Sequence, residues 1–171
     1  EAKNQDSCIA SGLMLFAWEQ YSVAGVLEGV YASVIDSASG AVFQAATLID
    51  ATAINPRCVP LGPNPSLCYV DTSSSPYLLK CVQVDTNNPV AFNSASTISS
   101  VVNTSNPVYD VAVYSDHATS GNAVFCYNNS GATRIDVGYI TVDGTVGTPG
   151  NGYTGTTTIT STNASDTIAI C

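Results

Sequence analysis

Basic side chains are the scarcest feature of this chain. Lys3, Arg57, Lys80 and Arg134 stand against thirteen acidic residues, giving a formal net charge of −9 over 171 residues. Nucleic acid and anionic membrane surfaces are recognised through a basic footprint, so both are disfavoured as partners. Histidine is represented by His117 alone, and no two cysteines form a C-x-x-C pair, so the paired-ligand signature of a zinc site is missing. There is no G-x-S-x-G elbow, and no glycine loop that runs into a helix and lysine to cradle phosphate. Glu19, Gln20 and Glu28 interrupt every apolar run before it reaches the roughly 20 residues of a membrane-spanning helix. No cofactor, metal site or integral membrane span is therefore expected.

Only 10% of residues are charged, while Ser, Thr, Asn, Gly and Ala abound. Such a chain stays soluble through hydroxyls and amides, as secreted and cell-surface proteins do. The six cysteines, Cys8, Cys58, Cys68, Cys81, Cys126 and Cys171, are even in number and widely spread. They are read as disulfide partners in an oxidising compartment. The expected pairs are Cys58 with Cys68 and Cys126 with Cys171. Asn-x-Ser/Thr sequons at Asn103, Asn128 and Asn163 are candidate N-glycosylation sites, in keeping with secretion. The start at Glu1, with no signal-like apolar region, reads as a mature extracellular product.

Apolar residues from Ile9 to Ala53 recur in steps of three or four, through Leu13, Phe16, Leu27, Tyr31 and Ile35. That spacing predicts a helix, or two helices broken near Ser37-Ala38-Ser39-Gly40. Leu15, Trp18, Val23, Val30 and Val34 fall off the stripe, so the helix would be apolar over more than one face. Gly25, Gly29, Ser33 and Ser37 place a small residue at every fourth position, where another backbone could approach. Residues 55–76 follow, opening on Asn55 to Pro65 with four prolines, and are expected to form a stapled loop. From Tyr77 onward the period becomes two. Strands are predicted at Leu79–Val84, Val108–Tyr114, Ala123–Tyr127, Arg134–Val142, Thr154–Ser161 and Thr167–Cys171, with a turn at Asn129-Ser130-Gly131. The predicted fold is thus α+β: a helical segment 1–54, a proline loop 55–76, and an antiparallel β region 77–171.

By element order this plan resembles that of pilins, in which a long apolar N-terminal helix precedes an antiparallel β domain with a disulfide near its end. The polar start Glu1-Ala2-Lys3-Asn4-Gln5-Asp6 departs from the apolar segment, with a glutamate at its fifth position, that marks the family, so no residue role is carried over.

Candidate chemistry is thin. Asp116-His117 is the one place where an acid adjoins the imidazole, and a hydrolase would have to use it, but no nucleophile is signalled. Glu19 and Glu28 would lie about 180° apart on a helix and cannot pair there. Asp110 and Asp136 fall on strands with nothing in their spacing to select glycoside hydrolysis. Tyrosines at 109, 114, 127, 139 and 153 could offer a sugar-stacking surface, or simply pack. The expected function is a secreted structural or adhesive surface protein, a self-assembling subunit of a pilus-like filament and not an enzyme. Its interface would be Leu13, Phe16, Trp18, Leu27, Tyr31 and Ile35, since a large apolar surface marks an interface. Alternatives are a binding module for a glycan or host-surface ligand, and the Asp116/His117 hydrolase.

Overall fold

A computed structural model describes residues 1–87, 90–105, 107–117, 120–128, 130, 135–141 and 146–147, with side chains left aside at 114–117, 120–122, 135–139 and 146–147. The described chain is all β. Strands β1 (Ala2–Ala10), β2 (Leu13–Tyr21), β3 (Leu27–Asp36) and β4 (Val42–Asp50) form a four-stranded antiparallel meander in chain order. Strands β5 (Ala53–Leu61), β6 (Asn64–Asp71) and β7 (Tyr77–Asp85) form a second. Its far edge is shared by β8 (Ala91–Phe92), at one end of β7, and β9 (Ser96–Val102), at the other. The third sheet is β10 (Tyr109–His117), β11 (Ser120–Asn128), β12 (Ile135–Ile140) and β13 (Val146–Gly147), again in chain order.

The α+β expectation therefore fails at its N-terminal half, and the pilin-like plan goes with it. Along β2 the burial alternates, with Leu13, Leu15, Ala17 and Glu19 inward and Met14, Phe16, Trp18 and Gln20 outward. Both faces are apolar, so a count of apolar residues at steps of three and four picks from the two faces in turn and imitates a helical stripe. The short-range signal that decides the matter is Ser11-Gly12, a two-residue loop between Ala10 and Leu13 with φ of 49° and 77°, the pattern of a primed hairpin turn.

The small residues at every fourth position have separate roles. Gly25 and Ser37 lie in turns, and the Ser33 hydroxyl donates to Gln44 O on β4 at 2.9 Å. Gly29 has φ of 120° where the β2–β3 register slips, and a Cβ there would run into Asp50 O and lie 2.7 Å from Ala51 Cα.

The proline-rich segment is a hairpin rather than a loop. Gly62-Pro63 turns β5 into β6, with Leu61 opposite Asn64 and Pro60 opposite Pro65. The prolines are tolerated because β5 is a sheet edge, Pro56 falls at a register slip, and Pro65 lies beyond the part of β6 that pairs with β7. Farther along, the strands expected at Leu79–Val84 and Ala123–Tyr127 fall within β7 and β11, and β11 pairs with β12 across the expected turn region. The expected strands at Thr154–Ser161 and Thr167–Cys171, with Asn163 and Cys171, lie outside the described residues.

The second sheet is the central layer. On β6 every residue from Pro65 to Asp71 is buried, because both of its faces are covered. Leu67, Tyr69, Val82 and Val84 pack against Leu15, Val30 and Val34 of the first sheet. Cys68, Val70, Leu79 and Cys81 pack against Tyr109, Phe125, Tyr127 and Ile140 of the third. A strand covered on both sides reads as a continuous apolar run, as the sequence from Leu67 to Val70 does. Tyr109, Phe125 and Tyr127 are thus core residues, not a sugar platform.

Three polar links tie the layers. Glu19, 2% exposed, accepts from Asn55 N at 2.7 Å and from Tyr21 Oη at 2.9 Å. Asn55, at φ 53° on β5, accepts from Tyr109 Oη at 2.7 Å and donates through Nδ2 to Pro107 O at 3.1 Å. One residue of the central sheet thereby bonds to both neighbouring layers. Lys80 Nζ lies 2.6 Å from Asp71 Oδ2 and 3.9 Å from Asp50 Oδ2, joining the central sheet to the end of β4.

Candidate interaction face

The inner face of the first sheet is spent on the central layer, and its outer face is covered by no other described element. Three rows of cross-strand neighbours make up that face. Ile9, Met14, Ile35 and Val42 run across β1 to β4 in register; Ser7, Phe16 and Ser33 form the middle row; Trp18, Tyr31 and Leu48 form the third. Ile9, Phe16, Val42 and Leu48 are exposed, Phe16 at 38% and Val42 at 63%. Trp18 and Tyr31 stack with ring centroids 6.2 Å apart and planes 21° from parallel, as directly opposed aromatic residues in a sheet can. The indole keeps its polar edge satisfied, Nε1 donating to Gln20 Oε1 at 3.1 Å.

None of the residues in these rows is charged. Three carboxylates adjoin the rows in sequence: Glu19 points inward to Asn55, Asp6 accepts from Cys58 N, and Asp36 accepts from the turn amides of Ala38 and Ser39. Lys3 lies at the β1 end, 3.5 Å from Glu1 and 4.6 Å from the Tyr21 ring centroid.

Of the six residues expected at an interface, the structure brings four together here: Phe16, Trp18, Tyr31 and Ile35. Leu13 faces the inner core, and Leu27 is half-buried at the start of β3 opposite Tyr21. Ile9, Met14, Val42 and Leu48 belong to the face but lie outside that set. An alternation rule applied to Met14-Phe16-Trp18 would have found Met14, and the strand pairing supplies the rest.

Beside the face, the register of β1 slips between Lys3 and Asp6, and Asn4 takes φ of 47°. An open cleft of about 340 Å³ lies there, lined by Gln5, Asp6, Ser7, Phe16 and Trp18 among others. The Asp6 carboxylate is already engaged, Oδ2 accepting from Cys58 N at 2.8 Å and Oδ1 from Ser7 N at 2.9 Å. Gln5 and Ser7 are the remaining polar side chains of the cleft.

The outer strand β4 adds an edge. Val42, Phe43 and Leu48 are exposed, and no charged residue occurs between Asp36 and Asp50. Exposed edges lacking charge, proline or cover are templates for pairing with another strand.

The remaining candidates are scattered. Asp116 and His117 close β10, with His117 opposite Ser120 in register; their side chains are outside the described part. Asn103 and Asn128 meet through Asn103 N donating to Asn128 O at 2.9 Å, and Asn103 Oδ1 accepts from Ser105 N at 2.8 Å. Cys58 and Cys68 sit on opposite faces of the central sheet, so the bridge expected between them does not fit the register. Among the described residues no cluster of three or more His, Cys, Asp or Glu could hold a metal ion. No helix among them is long and apolar enough to cross a membrane.

No family model and no curated protein matches the chain. Among solved structures it is similar to a Bifidobacterium bifidum s17 protein provisionally assigned as an exo-beta-1,3-galactanase, at 12% identity and a TM-score of 0.47. The match covers 85% of this chain and 51% of that one, so the chain spans about half its length. A likeness of that degree assigns neither fold family nor activity.

Proposed function

We propose that the chain is an extracellular structural module that works by self-association, the outer face of its first sheet packing on the same face of a second copy. The observation that carries this reading is the three-row, uncharged apolar face of Ile9, Met14, Phe16, Trp18, Tyr31, Ile35, Val42 and Leu48. Large contiguous apolar surfaces mark interfaces. The molecule itself supplies the packing mode, since its central sheet carries a sheet on each face.

A two-fold contact between identical faces closes a dimer. Growth beyond it, toward a filament or a surface layer, needs a second patch, and the β4 edge is placed to supply one. The test is the oligomeric state of the native protein by sedimentation equilibrium. A dimer or larger species is expected, with Phe16→Asp giving a folded monomer. A wild-type protein that stays monomeric at about 100 µM, a concentration at which even weak specific contacts populate, would refute the reading.

A second reading rests on the cleft beside the β1 slip, whose aromatic and amide lining is the composition of a glycan subsite. Gln5→Ala separates the two: it should weaken glycan binding and leave association unchanged. A glycan array with no hits would remove this alternative.

A further inference from the structure

Four cysteines meet in two pairs, and the pairs lie on opposite faces of the central sheet. Cys68 on β6 and Cys81 on β7 are directly opposed in register, with Sγ atoms 3.4 Å apart, inside the core shared with the third sheet. Cys8 on β1 packs against the core cluster that holds Cys58 on β5, at the boundary between the first and central sheets. Asp6 fixes that second meeting. Its carboxylate accepts from Cys58 N at 2.8 Å and its carbonyl oxygen lies 3.5 Å from Cys58 Sγ, which sets β1 down with Cys8 over Cys58.

We propose that Cys8–Cys58 and Cys68–Cys81 are disulfides, the first stapling the outer sheet to the central one and the second crossing the central sheet on its other face. Each bond forms when two thiols give up two protons and two electrons to a small-molecule disulfide of the glutathione type, which is reduced to two thiols. At the first pair Cys8 is the attacking sulfur. It is only half-buried, and hydrogen bonds from the Cys58 thiol and the Ser66 backbone hold its pKa below the ordinary value, so the thiolate is accessible. It displaces one half of the external disulfide and forms a mixed disulfide. The Cys58 thiol, pushed up by its bond to Cys8 and by burial, passes its proton to the departing thiolate and displaces the second half. Cys68 and Cys81 are both buried, so their bond forms before the third sheet covers them and is shielded from reductant afterwards.

The test is a disulfide map of the native, unreduced protein after alkylation of free thiols. Trypsin followed by chymotrypsin, which can cut at Leu61 and Leu67, separates Cys58 from Cys68. The expected map links Cys8 to Cys58 and Cys68 to Cys81. Graded reductant should open Cys8–Cys58 first, and full reduction should lower Tm by on the order of 10 °C. A link between Cys58 and Cys68, a map lacking either expected link, or four alkylated thiols after equilibration with oxidised glutathione would overturn the proposal. Loss of Cys68–Cys81 ahead of Cys8–Cys58 would overturn the assignment of Cys8 as the accessible sulfur.

Discussion

Lys80→Met tests how the layers are held. Lys80 Nζ is 2.6 Å from Asp71 Oδ2, and the Asp71 side chain is only 3% exposed. Removing the cation leaves that carboxylate buried, with Thr52 Oγ1 and Ser73 N still donating to Oδ1 at 2.8 Å each. Deleting one partner of a buried pair costs about 3–5 kcal/mol, and the two surviving hydrogen bonds hold this case near 3 kcal/mol at neutral pH. For a domain of this size that lowers Tm by about 6–12 °C. The pH dependence distinguishes the mechanism from lost packing. Burial alone would raise the Asp71 pKa, but the Lys80 ammonium, the Ser73 amide and the Thr52 hydroxyl outweigh it and hold the carboxyl well below its usual range. The folded state therefore binds fewer protons than the unfolded one. The contribution is complete above the unfolded pKa of about 3.9 and declines as pH falls through and below that value. In Lys80→Met the burial penalty is no longer offset, so protonating Asp71 relieves it. Urea titrations between pH 7 and pH 2 should show the gap between wild type and variant narrowing progressively as the pH falls. A gap under about 0.5 kcal/mol at pH 7, the range of inconsequential surface changes, would refute the reasoning, as would one that does not change with pH.

Gly29→Ala forces a Cβ against Asp50 O and Ala51 at a φ that side chains avoid. A loss of about 3 kcal/mol is expected from strain and displacement of the β4 end, read as the urea midpoint at constant m-value, and a change within error would contradict the close approach. Tyr109→Phe removes the donor to Asn55 O and leaves a buried carbonyl short of a partner, so a loss of about 1–2 kcal/mol should appear in the same assay. Glu19→Gln keeps the shape but weakens the acceptor for Asn55 N and Tyr21 Oη. Its loss should be less than additive with that of Tyr109→Phe, since both act through Asn55, and strict additivity in a double-mutant cycle would show the layers to be independent.

How much of this was legible in the sequence follows from where each signal resides. In the third sheet the strands carry a single apolar face and alternate, and β10 and β11 can be read by period alone. The first sheet cannot, because Leu13-Leu15-Ala17 and Met14-Phe16-Trp18 are apolar on opposite sides, and a two-sided strand has no unique period. Only the Ser11-Gly12 turn breaks the tie, and it is a signal of two residues against a stripe of forty. The proline segment misleads for the opposite reason. Proline excludes a central strand but not an edge, and nothing local to Pro60 says that β5 is an edge. The cysteine pairing was out of reach altogether, because it depends on register between strands up to 50 residues apart, Cys8 to Cys58. The apolar surplus that suggested assembly survives the loss of the helix, since it comes from the composition of residues 9–48 and not from their conformation. In a helix that surplus would be spread around a cylinder and partly hidden by the β region. In a sheet, half of it is buried against the central layer and the other half is gathered on one outer face, so correcting the fold concentrates the apolar surface instead of removing it.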